Sequence, residues 1–336
     1  MRHDPTAHCH TPGTSRRRVV VGMGAGALLA AGWPARAQDA YPTKPIRIVP
    51  FGTPGGPIDA VARVYGDEIA KRWGQPVLVD AKPGASGIVA ADFVAKAPAD
   101  GYTLLLTLSL THTTVPILRP VPYDPAKDFQ PLTQIGTGGP MLIVPASNPA
   151  SDLKSLIEWG KAKGRVTYGT WGIGSAAHIM GELLKRKTGI PLEHVPYKGE
   201  SVAHLDMFGG VLDIAWANPS TARGHLQAGK VKAIGITGSR RVGTLPQVPT
   251  FTEQGYEGFA LDSWMGFMGP AGLPAPLVDK LVAVLRELTQ APAAREKLLA
   301  LGFEPLGNTP AEFAANQRAE IPRWAEVIAT AQVSVN

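Results

Sequence analysis

Apolar residues recur with a helical period between short β-branched runs in the first third of the chain. From Ile58 to Ala70 they fall on one face of a helix, and Gly74 ends that helix. The run IRIVPF precedes it, and the strand-like runs PVLVDA and GYTLLLTLS follow it, separated by the helical pattern SGIVAADFVAKAPADG. Short strands that alternate with helices of this length predict a parallel sheet with crossover helices.

A second alternating series begins near Pro140 and ends near Ser263, and a mainly helical tail follows it. We therefore predict an α/β protein with two lobes, each a mostly parallel sheet flanked by helices. Lobe one is expected to comprise residues 44–139 and 263–336, and lobe two residues 140–262. The chain then crosses twice between the lobes, and the two crossings form a hinge.

The N-terminal segment has the three parts of an export signal. Ser15-Arg16-Arg17-Arg18 is basic, the apolar run VVVGMGAGALLAAGW follows, and Ala35-Arg36-Ala37 places small residues at a cleavage site. The apolar run is too short for a membrane-spanning helix, which needs about 20 residues. We predict cleavage after Ala37 and a periplasmic protein; removing 37 of the 336 residues leaves 299. The arginines fit both the twin-arginine and the ordinary secretory route.

Removal of the signal also changes the charge and the cysteine content. The chain carries a formal charge of +6, and the signal holds five arginines and one aspartate, which leaves +2 on the mature protein. The high pI is thus largely a property of the signal and does not indicate nucleic-acid binding. Cys9 lies in the signal, so the mature chain is expected to have neither a disulfide nor thiol chemistry.

The segment Gly52-Thr53-Pro54-Gly55-Gly56, here called the first glycine turn, joins the first predicted strand to the first helix. Backbone N–H groups at a helix N-terminus attract anions. A dinucleotide fingerprint needs G-x-G-x-x-G and an acidic residue about 20 positions later. Asp80 lies where the acidic residue of this fingerprint is expected, but the spacing of the glycines does not match it. A P-loop is also excluded, because no Gly-Lys-Ser/Thr follows. The turn is therefore either an ordinary tight turn or one half of an anion site.

A second glycine turn, Gly172-Ile173-Gly174-Ser175, repeats this strand–turn–helix design in the second series. One helix end contributes only about 0.3–1 kcal/mol, so one turn alone would not hold a ligand. Two turns that face each other across a hinge would present N–H groups to both ends of a short dianion. The sequence therefore favours a small anionic ligand between the lobes.

Other kinds of chemistry have weaker support. The hydroxyl-rich segment 107–114 follows the third strand, at the edge where open α/β sheets bind ligands. His178 and Glu182 are one helical turn apart, but the further ligands of a metal site do not lie near them in sequence. Ser175 is not a nucleophile elbow, because the pattern G-x-S-x-G fails at Ala177. We expect no catalytic residue, no metal and no cofactor.

Several segments carry a family resemblance: YPTKPIRIVPFGTPGGPIDAVAR, PVLVDAKPGASG, DGYTLLL, YDPAKDFQP, GTWGIGSAAH, HVPYKG, LPQVPTFTEQG, DSWMGF and EIPRWAEVI. In this order they closely resemble the substrate-binding proteins of tripartite tricarboxylate transporters, the Bug receptor family. The resemblance implies a periplasmic-binding-protein fold of the Venus flytrap type II. It implies a receptor that captures a small mono- or dicarboxylate and delivers it to membrane permease subunits. It also implies that the protein is not an enzyme; the oligomeric state does not follow from it, and we expect a monomer.

The resemblance further implies which residues hold the ligand, largely through backbone N–H groups, hydroxyls and ordered water. Asp59 is expected to tie the first helix rather than to touch the ligand. Carried over residue by residue, the ligand-binding positions are Phe51, Gly52, Thr53, Gly55, Gly56, Ser109, Thr111, His112, Thr170, Ile173, Gly174, Ser175 and His178, with Tyr197 and Asn218 as further pocket candidates.

Two segments depart from the family pattern. Many relatives carry P-F-P-P-G-G in the first loop, where this chain has Phe51-Gly52-Thr53-Pro54 and so offers an additional N–H and a hydroxyl. Many relatives have Asp-Asn where this chain has Ala217-Asn218. An acid there would pair with a ligand amine, and its absence favours a plain carboxylate over an amino acid.

Two alternative functions remain open at this point. An exported Rossmann-like oxidoreductase would bind a dinucleotide through Asp80. A sensor would use the same two-lobed fold to signal to a membrane kinase. The receptor hypothesis is preferred because the export signal, the paired glycine turns and the family motifs agree on it.

Overall fold

A computed structural model of the protein describes residues 41–333. The predicted signal, its cleavage site after Ala37 and Cys9 lie outside the described residues. The chain from Pro42 onward forms one compact unit. Within residues 41–333, every helix is too short or too polar to cross a membrane.

Strands and helices alternate along most of the described chain. The strands are β1 Ile46–Pro50, β2 Val77–Val79, β3 Thr103–Leu108, β4 Phe129–Gly138, β5 Met141–Pro145, β6 Val166–Thr170, β7 Leu192–Pro196, β8 Ile214–Ala217, β9 Val231–Ile236, β10 Ser263–Pro270 and β11 Glu304–Pro305. The helices are α1 Pro57–Trp73, α2 Ile88–Ala95, α3 Ser109–His112, α4 Thr114–Leu118, α5 Leu153–Lys163, α6 Ala176–Thr188, α7 Glu200–Phe208, α8 Pro219–Gln227, α9 Ala275–Gln290, α10 Pro292–Ala300 and α11 Pro310–Ala331.

These strands form two sheets. The first sheet has the order β11-β4-β10-β3-β1-β2, and the second has the order β7-β6-β8-β5-β9. The predicted α/β class is confirmed, but both sheets are mixed rather than mostly parallel. β10 pairs antiparallel with β3 and β4, and β5 pairs antiparallel with β8 and β9. β5 and β10 are the first strands after the two passages between the sheets, so no crossover helix forces them parallel to their neighbours.

Helix α1 shows how local sequence defines an element that reaches the site. Pro57 occupies its first turn, where a missing N–H is tolerated, and Gly74 ends it in the left-handed conformation with φ 67°. Val61, Tyr65 and Ile69 are buried on one face, as the apolar period predicts. The N-terminus of α1 is thereby fixed against the first sheet.

The two passages between the sheets lie side by side. The first passage runs through Gly139 and Pro140, between β4 and β5. Thr237 follows β9 at the second passage, and its N–H and Oγ1 donate to the carbonyl oxygen of Pro140 at 2.9 and 3.1 Å. The passages therefore support each other through buried hydrogen bonds.

Helix α11 packs on both sheets. It contacts β4 of the first sheet and α6 of the second. Trp324, Val327 and Ile328 belong to the same buried cluster as Leu183 of α6. The last turns of the tail, which the sequence assigns to lobe one, thus also pack against the second sheet. The predicted lobe boundaries at 139–140 and 262–263 stay a prediction.

Glu320 on α11 is a buried acid close to the second passage. Its Oε2 accepts a hydrogen bond from Trp264 Nε1 at 2.8 Å. Burial raises the pKa of Glu320 to about 7, and the charge of Asp262 acts in the same direction. Because this folded-state pKa lies above the ordinary value of 4.5, the folded protein binds an additional proton between these two values. The protonated carboxyl of Glu320 therefore makes its full contribution to the free energy of unfolding below pH 4.5. This contribution is lost as the pH rises through 7.

We expect Glu320→Gln to raise the free energy of unfolding at pH 8 by about 1–2 kcal/mol, since the amide keeps the acceptor but carries no buried charge. At pH 4.5 the variant and the wild type are expected to be nearly equally stable. Urea denaturation at both pH values measures the difference. Glu326→Gln, on the exposed side of the same helix, is the matched control. If Glu320→Gln raised the free energy of unfolding by the same amount at pH 8 and at pH 4.5, the effect would not come from the titration of Glu320.

Candidate ligand-binding cleft

A cleft of about 680 Å³ is lined by residues from elements of both sheets. This volume lies within the range of small-molecule binding sites. The first-sheet side contributes Pro57, Ser86, Ser109, Arg119, Met265 and Phe303. The second-sheet side contributes Trp171, Ile173, Ser175, Glu200, Asn218 and Thr221. A ligand in the cleft would therefore contact both sides of the molecule at once.

Four helices present their first residues to the cleft. They are α1 through Pro57, α6 through Ala176, α7 through Glu200, and α8 through Ser220. The N-terminus of a helix carries about half a positive charge because its first N–H groups have no partner within the helix. Carboxylates of the protein itself occupy two of these ends, Asp59 at α1 and Glu200 at α8, and the N-terminus of α6 remains favourable for a ligand's negative charge.

The second glycine turn is built around the cap of α6. Ser175 Oγ accepts a hydrogen bond from the N–H of His178 at 3.2 Å and donates to the carbonyl oxygen of Gly172 at 2.7 Å. Gly172 and Gly174 have φ values of 130° and 75°, which residues with a side chain rarely adopt. The strand–glycine–serine pattern thus produces the predicted turn, and Ile173, Gly174 and Ser175 line the cleft.

Two stacked histidines lie behind this turn. His178 Nδ1 accepts a hydrogen bond from the N–H of Gly174 at 3.1 Å, and the ring of His178 stacks on that of His194 at 3.9 Å. His194 Nε2 lies 2.6 Å from Thr170 Oγ1. Burial lowers the pKa of His178, and burial together with the charge of His178 lowers the pKa of His194 to about 3. Thr170 and His178 therefore support the turn as neutral groups and do not line the cleft.

The first glycine turn uses its N–H groups internally. The N–H of Gly55 donates to Asp59 Oδ2 at 3.0 Å, and the N–H of Gly56 donates to the carbonyl oxygen of Thr53 at 2.9 Å. The carboxylate of Asp59 is buried and also accepts from Arg63 Nε, so the expectation that Asp59 ties α1 is confirmed. Residues 51–56 are absent from the cleft lining, which begins at Pro57 on this side.

The segment after β3 divides its side chains between the cleft and the core. Ser109 lines the cleft. Thr111 Oγ1 instead donates to the carbonyl oxygen of Ser86 at 3.0 Å. His112 is buried among the rings of Tyr123, Phe129 and Trp264, and burial lowers its pKa to about 3. In α3, Thr111 therefore ties the helix to the loop at Ser86, and His112 lies in the core.

The charged side chains that line the cleft are those of Arg119 and Glu200. Arg119 Nη2 donates to the carbonyl oxygen of Ala85 at 2.7 Å. Glu200 Oε2 accepts from the N–H of Asn218 at 3.1 Å and from Thr221 Oγ1, and Oε1 accepts from Asn218 Nδ2. Burial raises the pKa of Glu200, and these three hydrogen bonds oppose that shift. Among the described lining residues, Arg119 is the one base and Glu200 the one acid.

Comparisons with known proteins agree with this geometry. Residues 61–333 match the family model described as the tripartite tricarboxylate transporter family receptor. The chain belongs to this family. It is 35% identical to the protein BugT of Bordetella pertussis over 296 residues, which cover 87% of this chain and 90% of BugT. The family assignment made from the sequence motifs is thereby confirmed, and so is the predicted function class, a solute-binding receptor.

Solved structures of receptors give the same result. The structure of the periplasmic binding protein BugD is 34% identical, with a TM-score of 0.70, and the match covers 88% of this chain and 99% of BugD. The Rhodopseudomonas palustris protein Rpa4515, solved with adipate, is 32% identical, with a TM-score of 0.74 and coverage of 88% and 99%. The predicted fold of a periplasmic binding protein is therefore confirmed over 88% of the chain.

The receptor's cleft contains some of the residues that the sequence analysis selected. Ser109, Ile173, Gly174, Ser175 and Asn218 line it. The remaining predicted residues lie in the turns or the core around it: Phe51, Gly52, Thr53, Gly55, Gly56, Thr111, His112, Thr170, His178 and Tyr197. Tyr197, for example, donates its hydroxyl to Asp206 at 2.7 Å.

Sequence reasoning missed the two charged residues of the receptor's cleft. Arg119 stands directly before the proline-rich loop, and Glu200 directly follows the HVPYKG motif. An isolated charge next to a loop is common on protein surfaces, so neither residue gave a signal by itself. Ser86 was also missed, although it lies in the PVLVDAKPGASG motif and has an uncommon φ of 57°.

Proposed function

We propose that this receptor binds a small organic carboxylate in its cleft and delivers it to the permease subunits of a tripartite tricarboxylate-type transporter. It acts in the periplasm as a monomer, after cleavage behind Ala37, without catalysis and without a cofactor. Residues 44–139 with 263–336 form one lobe and residues 140–262 the other, and the lobes close on the ligand. Differential binding of the ligand to the closed form drives closure.

One observation carries the proposal of an anionic ligand: the N-terminus of α6 and the guanidinium of Arg119 meet at one cleft. Helix ends and arginine both favour negative charge, and arginine donates two parallel hydrogen bonds to a planar carboxylate. The adipate bound to Rpa4515 supports the same ligand class, since adipate is a carboxylate. The stacked histidines and the buried Asp59 are used for support and offer no catalytic group.

A thermal-shift panel tests the proposal. The mature chain is measured with mono- and dicarboxylates and with neutral amides of the same length, such as hexanoate with hexanamide. Because a ligand that binds only the folded state adds about 2.7 kcal/mol at 100 times its Kd, a carboxylate that binds is expected to raise the Tm clearly. The matched amides are expected to leave the Tm unchanged. The carboxylate proposal is wrong if the amides shift the Tm as much as the acids, or if NAD alone shifts it.

A further inference from the structure

The carboxylate of Glu200 occupies the N-terminus of helix α8. The backbone N–H of Asn218, the residue that caps this helix, donates to Oε2, and so does the hydroxyl of Thr221 in the first turn. The side-chain amide of Asn218 donates to Oε1. Three donors directed at one carboxyl group favour its ionised form. Carboxyl groups of the protein itself therefore already occupy two of the four helix ends that meet at the cleft: Glu200 at α8 and Asp59 at α1.

The remaining positive groups lie on other elements. Arg119 belongs to the first-sheet side, and Ser175 with Ala176 of α6 belongs to the second-sheet side. We expect these groups to hold one ligand carboxylate. A second carboxylate near α8 would meet the charge of Glu200 instead of an unoccupied helix end, and like charges at close range disfavour each other.

The lining between these polar groups is largely apolar. Leu108, Trp171, Met265 and Phe303 contribute to it. Such a surface gains from contact with the hydrocarbon body of a ligand and offers few hydrogen bonds to polar substituents along it. The cleft thus has a cationic region, an apolar lining and an anionic acceptor at Glu200.

We propose that Glu200 selects a ligand with one carboxylate and with a hydrogen-bond donor, a hydroxyl or an ammonium group, at the other end of an apolar body. This inference rests on the proposed binding of a carboxylate and narrows it, because it makes Glu200 a determinant against dicarboxylates. It also changes the expectation drawn from Ala217-Asn218: the acid missing at position 217 is supplied next to Asn218 by Glu200.

Four six-carbon acids that differ only at the far end test this inference. They are adipate, hexanoate, 6-hydroxyhexanoate and 6-aminohexanoate, and titration calorimetry of the mature chain at pH 7 gives their Kd values. We expect the hydroxy and amino acids to bind at least tenfold more tightly than adipate, with hexanoate between them. The comparison of hydroxyl with ammonium shows which donor the site prefers.

The variant Glu200→Gln isolates the charge. The glutamine oxygen still accepts from the N–H of Asn218 and from Thr221, and the amide of Asn218 can rotate to accept from the glutamine nitrogen. The quantity to compare is the Kd of adipate divided by the Kd of 6-aminohexanoate. We expect this ratio to be at least tenfold lower for Glu200→Gln than for the wild type. Glu193→Gln removes an acid of the second sheet that is exposed and absent from the cleft lining, so its ranking should equal that of the wild type.

The outcomes separate the inference from the proposed function. If adipate binds the wild type as tightly as the hydroxy and amino acids, or if Glu200→Gln leaves the ranking unchanged, the role of Glu200 is wrong while carboxylate binding stands. If none of the four acids binds and no other carboxylate shifts the Tm, both are wrong. Even if Glu200→Gln fails to fold, the order of the four Kd values for the wild type tests the role of Glu200.

Discussion

Replacing Arg119 with alanine is expected to lower the affinity for the bound carboxylate by about 10- to 100-fold. Arg119 is the one base among the described residues that line the cleft. Hydrogen bonds to a charged partner contribute about 1.5–3 kcal/mol, which corresponds to this range of affinity. The guanidinium fork matches a carboxylate in geometry as well as in charge. Titration calorimetry with the tightest acid of the panel measures the loss.

Two matched variants show which property of Arg119 matters. Arg119→Lys keeps the charge and loses the fork, and we expect an affinity between those of the wild type and the alanine variant. Arg165→Ala removes an exposed arginine that pairs with Glu193 away from the cleft, and it should leave the affinity unchanged. Because Arg119 also donates to Ala85, urea denaturation checks that the alanine variant stays folded. Wild-type affinity in a folded Arg119→Ala protein would exclude Arg119 from the site.

The second glycine turn shows what local sequence can predict. A strand, two glycines and a serine before an apolar-periodic helix specify a turn whose φ values only glycine adopts easily and a cap that satisfies the helix N-terminus. All the determinants lie within Gly172–Ser175 and His178, so no distant residue is needed. The sequence therefore predicts the local geometry of this turn, and its role in binding a ligand stays a prediction.

The first glycine turn shows the limit of the same reasoning. Its pattern predicts backbone N–H groups at a helix N-terminus. It does not predict which acceptor forms hydrogen bonds with these groups. Asp59, in the first turn of α1, accepts from Gly55, so part of the expected anion site is filled internally. The orientation of His112 was not predictable for a related reason: the sequence shows a polar residue after a strand, but the short helix α3 turns its ring into a cluster of aromatic side chains.

Charged groups from distant segments are the least predictable part of the site. Glu200 meets Asn218 across 18 positions, and Arg119 meets Ala85 across 34 positions. Such contacts depend on which strands are neighbours in the sheet. The apolar pattern gives the strands but not their order, in which β6 lies between β7 and β8 and β1 lies between β2 and β3, so the sequence could not bring these residues together.

Replacing Gly139 with alanine is expected to lower the free energy of unfolding by about 3 kcal/mol, near the upper end of typical overpacking effects. A Cβ at Gly139 would lie 2.3 Å from the carbonyl oxygen of Thr237, where backbone meets backbone and no flexible side chain can yield. The backbone of Gly139 is not in the left-handed region, so the effect comes from this contact alone. Urea denaturation of the mature chain measures the loss.

Gly224→Ala is the matched control for this substitution, since a Cβ there, within helix α8, would meet nothing within 4 Å. It should leave stability unchanged or raise it by up to about 1 kcal/mol, because alanine favours helix over glycine. The contrast tests whether the two passages between the sheets pack as closely as the Thr237–Pro140 hydrogen bonds indicate. Equal stabilities of Gly139→Ala and the wild type would contradict this close packing of the two passages.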